Sequence, residues 1–265
     1  MVITSTSLWL GELQRSAAQA RLPYLDLLVD TTNLEFPLAD RIARLEQPIL
    51  QSAILQHTPE HQIAQSGPWL LRLDHANAQQ LQLLIDLADA SRGNQHLLAL
   101  TSPWDFHELS VHLGHCTQAE WNDGRSSGLL RYYDPRLFVA VSEALNPQQA
   151  WFHAPVIAWH WRDRDGEAQQ LAGHLRRSSE LPSPLPSLRL ERAQVVQLQA
   201  WSLAERYYSS KDVEPCDYGL NKQEALMRHL VHAQQAASRE GILDLDQREQ
   251  FVEDWLQQHS KGSAA

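Results

Sequence analysis

Histidine, cysteine and carboxylate groups carry most protein chemistry, and this sequence holds 13 His, 2 Cys and 32 acidic residues. The densest group is His107, His112, His115 and Cys116. His112 and His115 stand i, i+3 apart, so on a helix both rings face one side and could reach one metal ion. No HExxH, no CxxC and no second spaced pair completes a ligand set, and the same spacing serves an amphipathic helix with partly buried histidines, the preferred reading. Cys116 adjoins His115, but neighbouring residues rarely face each other, which weakens a nucleophile–base reading. His153, His160 and His174 lie in or beside an aromatic run and read as core or edge side chains.

Gly-x-Ser-x-Gly is absent, and Ser126-Ser127-Gly128 lacks the strand–turn–helix setting of a nucleophile elbow. The 11 glycines form neither GxGxxG nor a Walker loop. Asp26 and Asp30 flank an apolar run and Asp74 follows another. Strand-end carboxylates can be catalytic in α/β sheets, although caps and solvated loop residues are the commoner case. One string stands out, Gly128-Leu129-Leu130-Arg131-Tyr132-Tyr133-Asp134-Pro135-Arg136-Leu137. It predicts a strand over 129–133, then Asp134 capping a helix with Pro135 at its first position. Arg131 and Arg136 flank the acid. The segment reads either as a well-capped junction or as an Arg/Tyr/Asp surface for a partner, since Arg and Tyr anchor interfaces.

The elements that must position these residues follow from periodicity. Leu10, Leu13, Ala17 and Ala20 mark a first helical face, and Leu38, Ile42 and Leu45 a second between Pro37 and Pro48. Tyr24–Asp30, Ile49–Leu55, Trp69–Leu73, His96–Leu100 and Trp151–Trp161 read as strands. Asn77 is expected to cap a helix that Gly93 ends, and Ser102, with Pro103 and Asp105, to open another. Asp123-Gly124 and Asp165-Gly166 read as turns. Strands alternating with helices predict an α/β fold with a mixed or largely parallel sheet flanked by helices over 1–177. Residues 178–187, three prolines and four serines in ten positions, read as a linker. Residues 188–260 predict a small all-helical C-terminal lobe, with Asp246 capping its last helix and Trp255 on that helix; residues 261–265 read as a tail. The expectation is that the two lobes form a cleft for a partner, with Arg136 and Trp255 among its contacts.

Composition narrows the function classes. Hydrophobic residues make up 43% and net charge is −10, which excludes a disordered chain and argues against nucleic acid or an anionic membrane as main partner. No apolar stretch approaches membrane-spanning length, no secretory signal is visible at the start, and both cysteines are expected as thiols.

Leu130-Arg131-Tyr132-Tyr133-Asp134-Pro135-Arg136, followed after a helix-length spacer by Trp151-Phe152-His153-Ala154-Pro155-Val156 and Trp159, resembles the effector-chaperone (adaptor) domain of type VI secretion systems. The layout over about residues 22–162 is also similar: a strand ending at Asp30, a Trp-Leu strand near 69–73 and a strand–Ser-Pro–helix near 98–105. The chain departs from the family's pattern at Ala154, where Gly is usual, and at Thr31-Thr32-Asn33, where small residues are usual. The resemblance implies a non-enzymatic cytoplasmic chaperone without a cofactor. It would bind a secreted effector encoded nearby and help load it on the VgrG spike. Arg131, Tyr132, Tyr133, Asp134, Arg136 and Trp255 are the candidate partner-binding residues. The alternatives are a small metal-dependent hydrolase using His112, His115 and strand-end Asp residues, and an immunity protein that blocks an effector's active domain.

Overall fold

A computed structural model describes residues 5–91 and 96–259. Met1–Thr4, the expected helix stop at Gly93 and the tail 261–265 lie outside the described residues. The chain divides into two compact units: Met1–Val139 with Leu145–Arg189, and Ala140–Ala144 with Leu190–Ala265. The Pro/Ser-rich residues 178–187 fall within the first unit.

The first unit is built on a six-stranded sheet. Its strands are β1 (Tyr24–Asp30), β2 (Leu50–Ala53), β3 (Pro68–Asp74), β4 (Leu97–Thr101), β7 (Ala158–Arg162) and β8 (Ala168–Ala172), in the order β2-β3-β1-β4-β7-β8. A small second sheet joins β5 (Gln118–Trp121), β6 (Ser126–Leu129) and β9 (Leu188–Arg189) in the order β6-β5-β9. Helices α1 (Ser5–Gln19), α2 (Leu38–Ala43), α3 (Ala78–Ala90), α4 (Phe106–His115) and α5 (Pro135–Ala144) fill the connections.

The six-stranded sheet corrects the expectation of a mixed or largely parallel one. Every neighbouring pair in it is antiparallel, and the one parallel pair, β5 with β9, lies in the small sheet. The helical crossovers read from the sequence do join strands that run the same way. Between β3 and β4, however, β1 is inserted, and between β1 and β2, β3 is inserted. Alternation of strand and helix reports the crossover, whereas neighbourhood is decided by a strand from elsewhere in the chain, as in split βαβ motifs. Here β1 is buried on both faces because it is central in the antiparallel sheet.

One sheet face, with Leu25, Leu27, Val29, Leu71, Leu73, Leu97 and Ala99, packs on α1, α2 and α3 through Trp9, Leu13, Ile42, Leu84 and Leu87. Removing this apolar area from water is the main stabilising term. Side chains alternate across a strand, so Asp26, Leu28 and Asp30 point to the other face. Aromatic rings gather there: Trp159 stands 5.0 Å from Phe138 and 6.4 Å from Tyr132. Gly173, after β8, is required by close approach, since a Cβ would lie 1.8 Å from the Val156 carbonyl oxygen.

Local readings also shift. The expected strand over 129–133 ends at Leu129, and residues 131–133 form a turn. The expected strand Trp151–Trp161 begins as a 3-10 helix, Pro147–His153, because Asn146 and Gln149 form a capping box and Pro147 fixes the first position. Strand geometry resumes at Ala158. α4 is capped by Asp105 rather than Ser102: the Asp105 carboxylate accepts from the N–H groups of His107 and Glu108. Ser102 instead donates to the Pro155 carbonyl at 2.6 Å. Asn77 caps α3 as expected, accepting from Gln79 and Gln80.

The second unit packs the last turn of α5 with α6 (Arg192–Lys211), α7 (Gln223–Arg239) and α8 (Leu245–His259). Ala140, Trp201, Ala204, Leu226, Leu230 and Val252 share its core. Asp244, not Asp246, caps α8, accepting from Gln247 N–H at 3.0 Å. Arg248 is buried with no acid among its partners. It donates to the Gln234 side chain and carbonyl, to Ser238 Oγ and to the Ile242 carbonyl. These neutral oxygens, in α7 and just beyond it, take the place of a counter-ion.

Candidate functional site

The turn after β6 is held from below before it presents anything to solvent. Leu130 N–H donates to the Thr117 carbonyl at 2.7 Å, and Tyr132 donates through its hydroxyl to the Leu113 carbonyl at 2.9 Å. The Tyr132 ring is fully buried, 5.0 Å from Phe152 and 6.0 Å from the Tyr133 ring. Both tyrosines therefore face inward and act as the turn's footing. Burial raises the Tyr132 hydroxyl well above its ordinary value and pushes Tyr133 up to about 12, the Asp30 charge adding to the latter. Both hydroxyls therefore stay protonated near neutrality.

Asp134 is also buried, and its role as a cap holds. Its carboxylate accepts from the Arg136 N–H at 3.0 Å, while Phe138 N–H donates to its carbonyl to open α5. Arg136 grips the same carboxylate through Nε at 3.0 Å and Nη2 at 2.6 Å, a bidentate fork. From the end of β1, Asp30 joins this turn. Its Oδ2 accepts from Arg131 Nη2 at 2.9 Å and its Oδ1 from Thr32 N–H at 3.0 Å. Backbone pairing with His96 fixes Asp30 further, through Asp30 N–H to the His96 carbonyl at 2.9 Å. Burial works against the Arg131 charge, but the hydrogen bond and charge of Asp30 outweigh it and raise its pKa.

The Asp30 side chain is 3% exposed and that of Arg131 43%, so the acid is the anchor and the guanidinium reaches outward. Arg131, Arg136, Asp30, Thr32, Asn33 and Glu35 line an open concavity of about 340 Å³. Its chemistry is hydrogen bonding and charge on a rigid base, which suits recognition of a polar segment.

The structure thus brings Arg131, Asp134 and Arg136 together with Asp30, a residue the sequence offered only as a strand-end acid. The missing signal was the pairing of Asp30 with Arg131, 101 residues apart. Thr32 and Asn33 stood out in the sequence only as a departure from the resembled family's pattern and His96 only as a strand start, while Glu35 carried no signal. Trp255 belongs to the second unit, where its ring stacks on His259 at 4.1 Å and packs against the helical core.

The other candidates find different work. Asp26 is fully buried in a bidentate pair with Arg72, at 2.7 and 2.9 Å, and Arg72 also donates to the Trp104 carbonyl and lies 3.9 Å above the Tyr24 ring. Burial raises the Asp26 carboxyl to about 6 even though Arg72 pulls it down, leaving it ionised at neutrality. Asp74 accepts from the Ala76 N–H in a tight turn. His112 is buried between Trp104 and Trp151 and its Nε2 meets the Phe152 carbonyl at 3.3 Å; His115 Nε2 meets the Pro186 carbonyl at 2.9 Å. His107 lines a shallow groove with Val111 and Leu181. Burial raises the Cys116 thiol well above its usual value. Among the described residues no group of three or more His, Cys, Asp or Glu side chains is placed to hold a metal ion. Among them, too, no helix is long and apolar enough to cross a membrane.

Residues 27–151 match the model of a protein family described as a domain of unknown function, DUF4123. The match runs from β1 through the 3-10 helix at Trp151, and so contains Asp30 and the whole Arg131–Arg136 turn. Comparison with curated proteins and with solved structures returned no match.

Proposed function

We propose that this chain is a non-enzymatic adaptor of a type VI secretion system, which binds an effector in the cytoplasm and helps load it on the VgrG spike. The observation that carries the reading is the charged concavity around Asp30, Arg131, Asp134 and Arg136. It is built from the string that resembles the effector-chaperone domain and lies inside the family match. Its tyrosines are buried and neutral, Asp30 and Asp134 are engaged by Arg131 and Arg136, and its open side offers guanidinium groups, the Glu35 carboxylate and the polar side chains of Thr32 and Asn33. Such a surface recognises a polar cargo segment by hydrogen bonds and charge, with specificity set by the fixed fork geometry of arginine.

The test is co-expression with the product of the neighbouring gene, read by native mass spectrometry. A one-to-one complex is expected, lost on Arg131→Gln in a chain whose circular dichroism is unchanged, and lost when the effector's non-catalytic segment is deleted. A complex formed only through the effector's catalytic domain, with loss of toxin activity, would replace the adaptor reading by the immunity one. A lone chain carrying a stoichiometric metal would replace it by the hydrolase.

A further inference from the structure

The six-stranded sheet ends at β8, and the ladder that holds β8 determines which of its backbone groups are left over. Asp163 N–H donates to the Glu167 carbonyl at 3.0 Å, and Gly173 N–H to the Ile157 carbonyl at 2.8 Å. Both contacts continue the β7–β8 register, in which His160 faces Gln170. Bonded and non-bonded pairs alternate in an antiparallel ladder, so Gln169 and Leu171 bond to β7. Ala168, Gln170 and Ala172 therefore turn their N–H and C=O groups away from the sheet. Gln170 and Ala172 are exposed, and none of the three has a hydrogen-bond partner on that side.

Natural sheets blunt such edges with Pro, Lys, bulges or very short strands. The other edge follows that practice: β2 has four residues, and the outward Ala53 carbonyl is taken by Gln56 N–H at 3.0 Å. In β8 the residues are Ala-Gln-Gln-Leu-Ala, uncharged and unbulged.

We propose that this edge is a self-association surface, on which two copies of the chain pair their β8 strands antiparallel about a two-fold axis at Gln170. The occupant is argued from charge. At the start of β8 the exposed acids Asp165 and Glu167 outnumber the half-buried Arg164, leaving that end net acidic; beyond its other end stand the exposed Arg176 and Arg177, which make it net basic. Antiparallel self-pairing lays the acidic end of one copy against the basic end of the other, whereas a parallel arrangement would set like against like. Centring on Gln170 also opposes Ala168 to Ala172 of the second copy, small side chains that leave the backbones free to approach, and a two-fold contact of this kind closes on itself instead of growing into a fibre. The inference goes beyond the adaptor reading and uses the chain alone, so its failure leaves that reading untouched.

The test is sedimentation equilibrium of the isolated chain over a concentration series, at low and high salt. A dimer of 30.2 kDa chains is expected, weaker at high salt as the complementary ends are screened. Gln170→Pro deletes an outward N–H that the fold does not use, a placement proline tolerates, and should give a monomer with unchanged circular dichroism and melting. Gln170→Lys, which sets two like charges on the axis, should weaken the dimer by at least about tenfold. A wild-type monomer at every concentration would overturn the proposal. So would a dimer that both variants leave intact, or an edge that pairs only with cargo and loses it on Gln170→Pro.

Discussion

Asp134 shows how much one carboxylate can do when it is buried at a helix start. It caps α5, meets the positive end of the helix dipole and fixes Arg136. Asp134→Ala should therefore lower stability in urea denaturation by about 0.5–2 kcal/mol; Asp134→Asn, which keeps a cap acceptor, should lose less. The Asp26–Arg72 pair carries a larger stake. Arg72→Met would leave Asp26 uncompensated in the core, a change that costs roughly 3–5 kcal/mol for buried pairs. Its cost should shrink on acidification, because a carboxyl already raised to about 6 takes up a proton more readily once its guanidinium is gone. Denaturant titrations at pH 7 and pH 5 check both statements. Asp134 could be foreseen from sequence, because a cap and its proline are adjacent. The partners of Asp26 and Asp30 could not, since each is chosen by strand register and by a turn from a distant part of the chain.

At the level of elements, α7 and α8 are joined by Arg248, whose guanidinium is spent on the Gln234 carbonyl in α7 and the Ile242 carbonyl just beyond it. Arg248→Met should uncover buried acceptors at roughly 1–3 kcal/mol each and lower the melting temperature. Lys at this position should rescue little, because one ammonium cannot reproduce the fork. Helix faces were the most legible features, since α1 and α2 announce themselves by the spacing of Leu10, Leu13 and Ala17 and of Leu38 and Ile42. Sheet order was the least legible. The strand–helix alternation is real, yet β1 enters between β3 and β4 through long-range pairing that leaves no local trace. Likewise Trp151–His153 looked like strand because aromatic residues favour strands, while the Asn146–Gln149 box turned the segment into a helical one.

For the whole molecule, pH response follows from three histidines that folding keeps neutral. Burial lowers His112, His153 and His160 to about 4 each, below the ordinary value of 6.5. The unfolded chain binds more protons between pH 6.5 and 4, so stability is full above that window and falls through it, at about 1.4 kcal/mol per pH unit per histidine. Asp26 acts oppositely, since its raised carboxyl favours the fold at low pH and loses that contribution as pH rises towards 6. Three groups outweigh one, and melting temperature should drop on going from pH 7 to pH 4.5. His160→Gln, which keeps a hydrogen-bonding group for Ser16 near the Nε2 position, should flatten the decline.

The insertion of β1 at the centre of the sheet also sets an order of assembly during synthesis. Of the six strands of this sheet β1 is made before the others, and β3 and β4 then take places on its two sides with α3 between them in sequence. A nascent chain cut after β4 already contains the four strands β2-β3-β1-β4 and the three helices of their covered face. Strands β7 and β8 arrive last and extend the sheet on one side. Until β7 emerges the open edge of this subset is β4, and the bare edge at β8 comes into existence only when the rest of the sheet has been made.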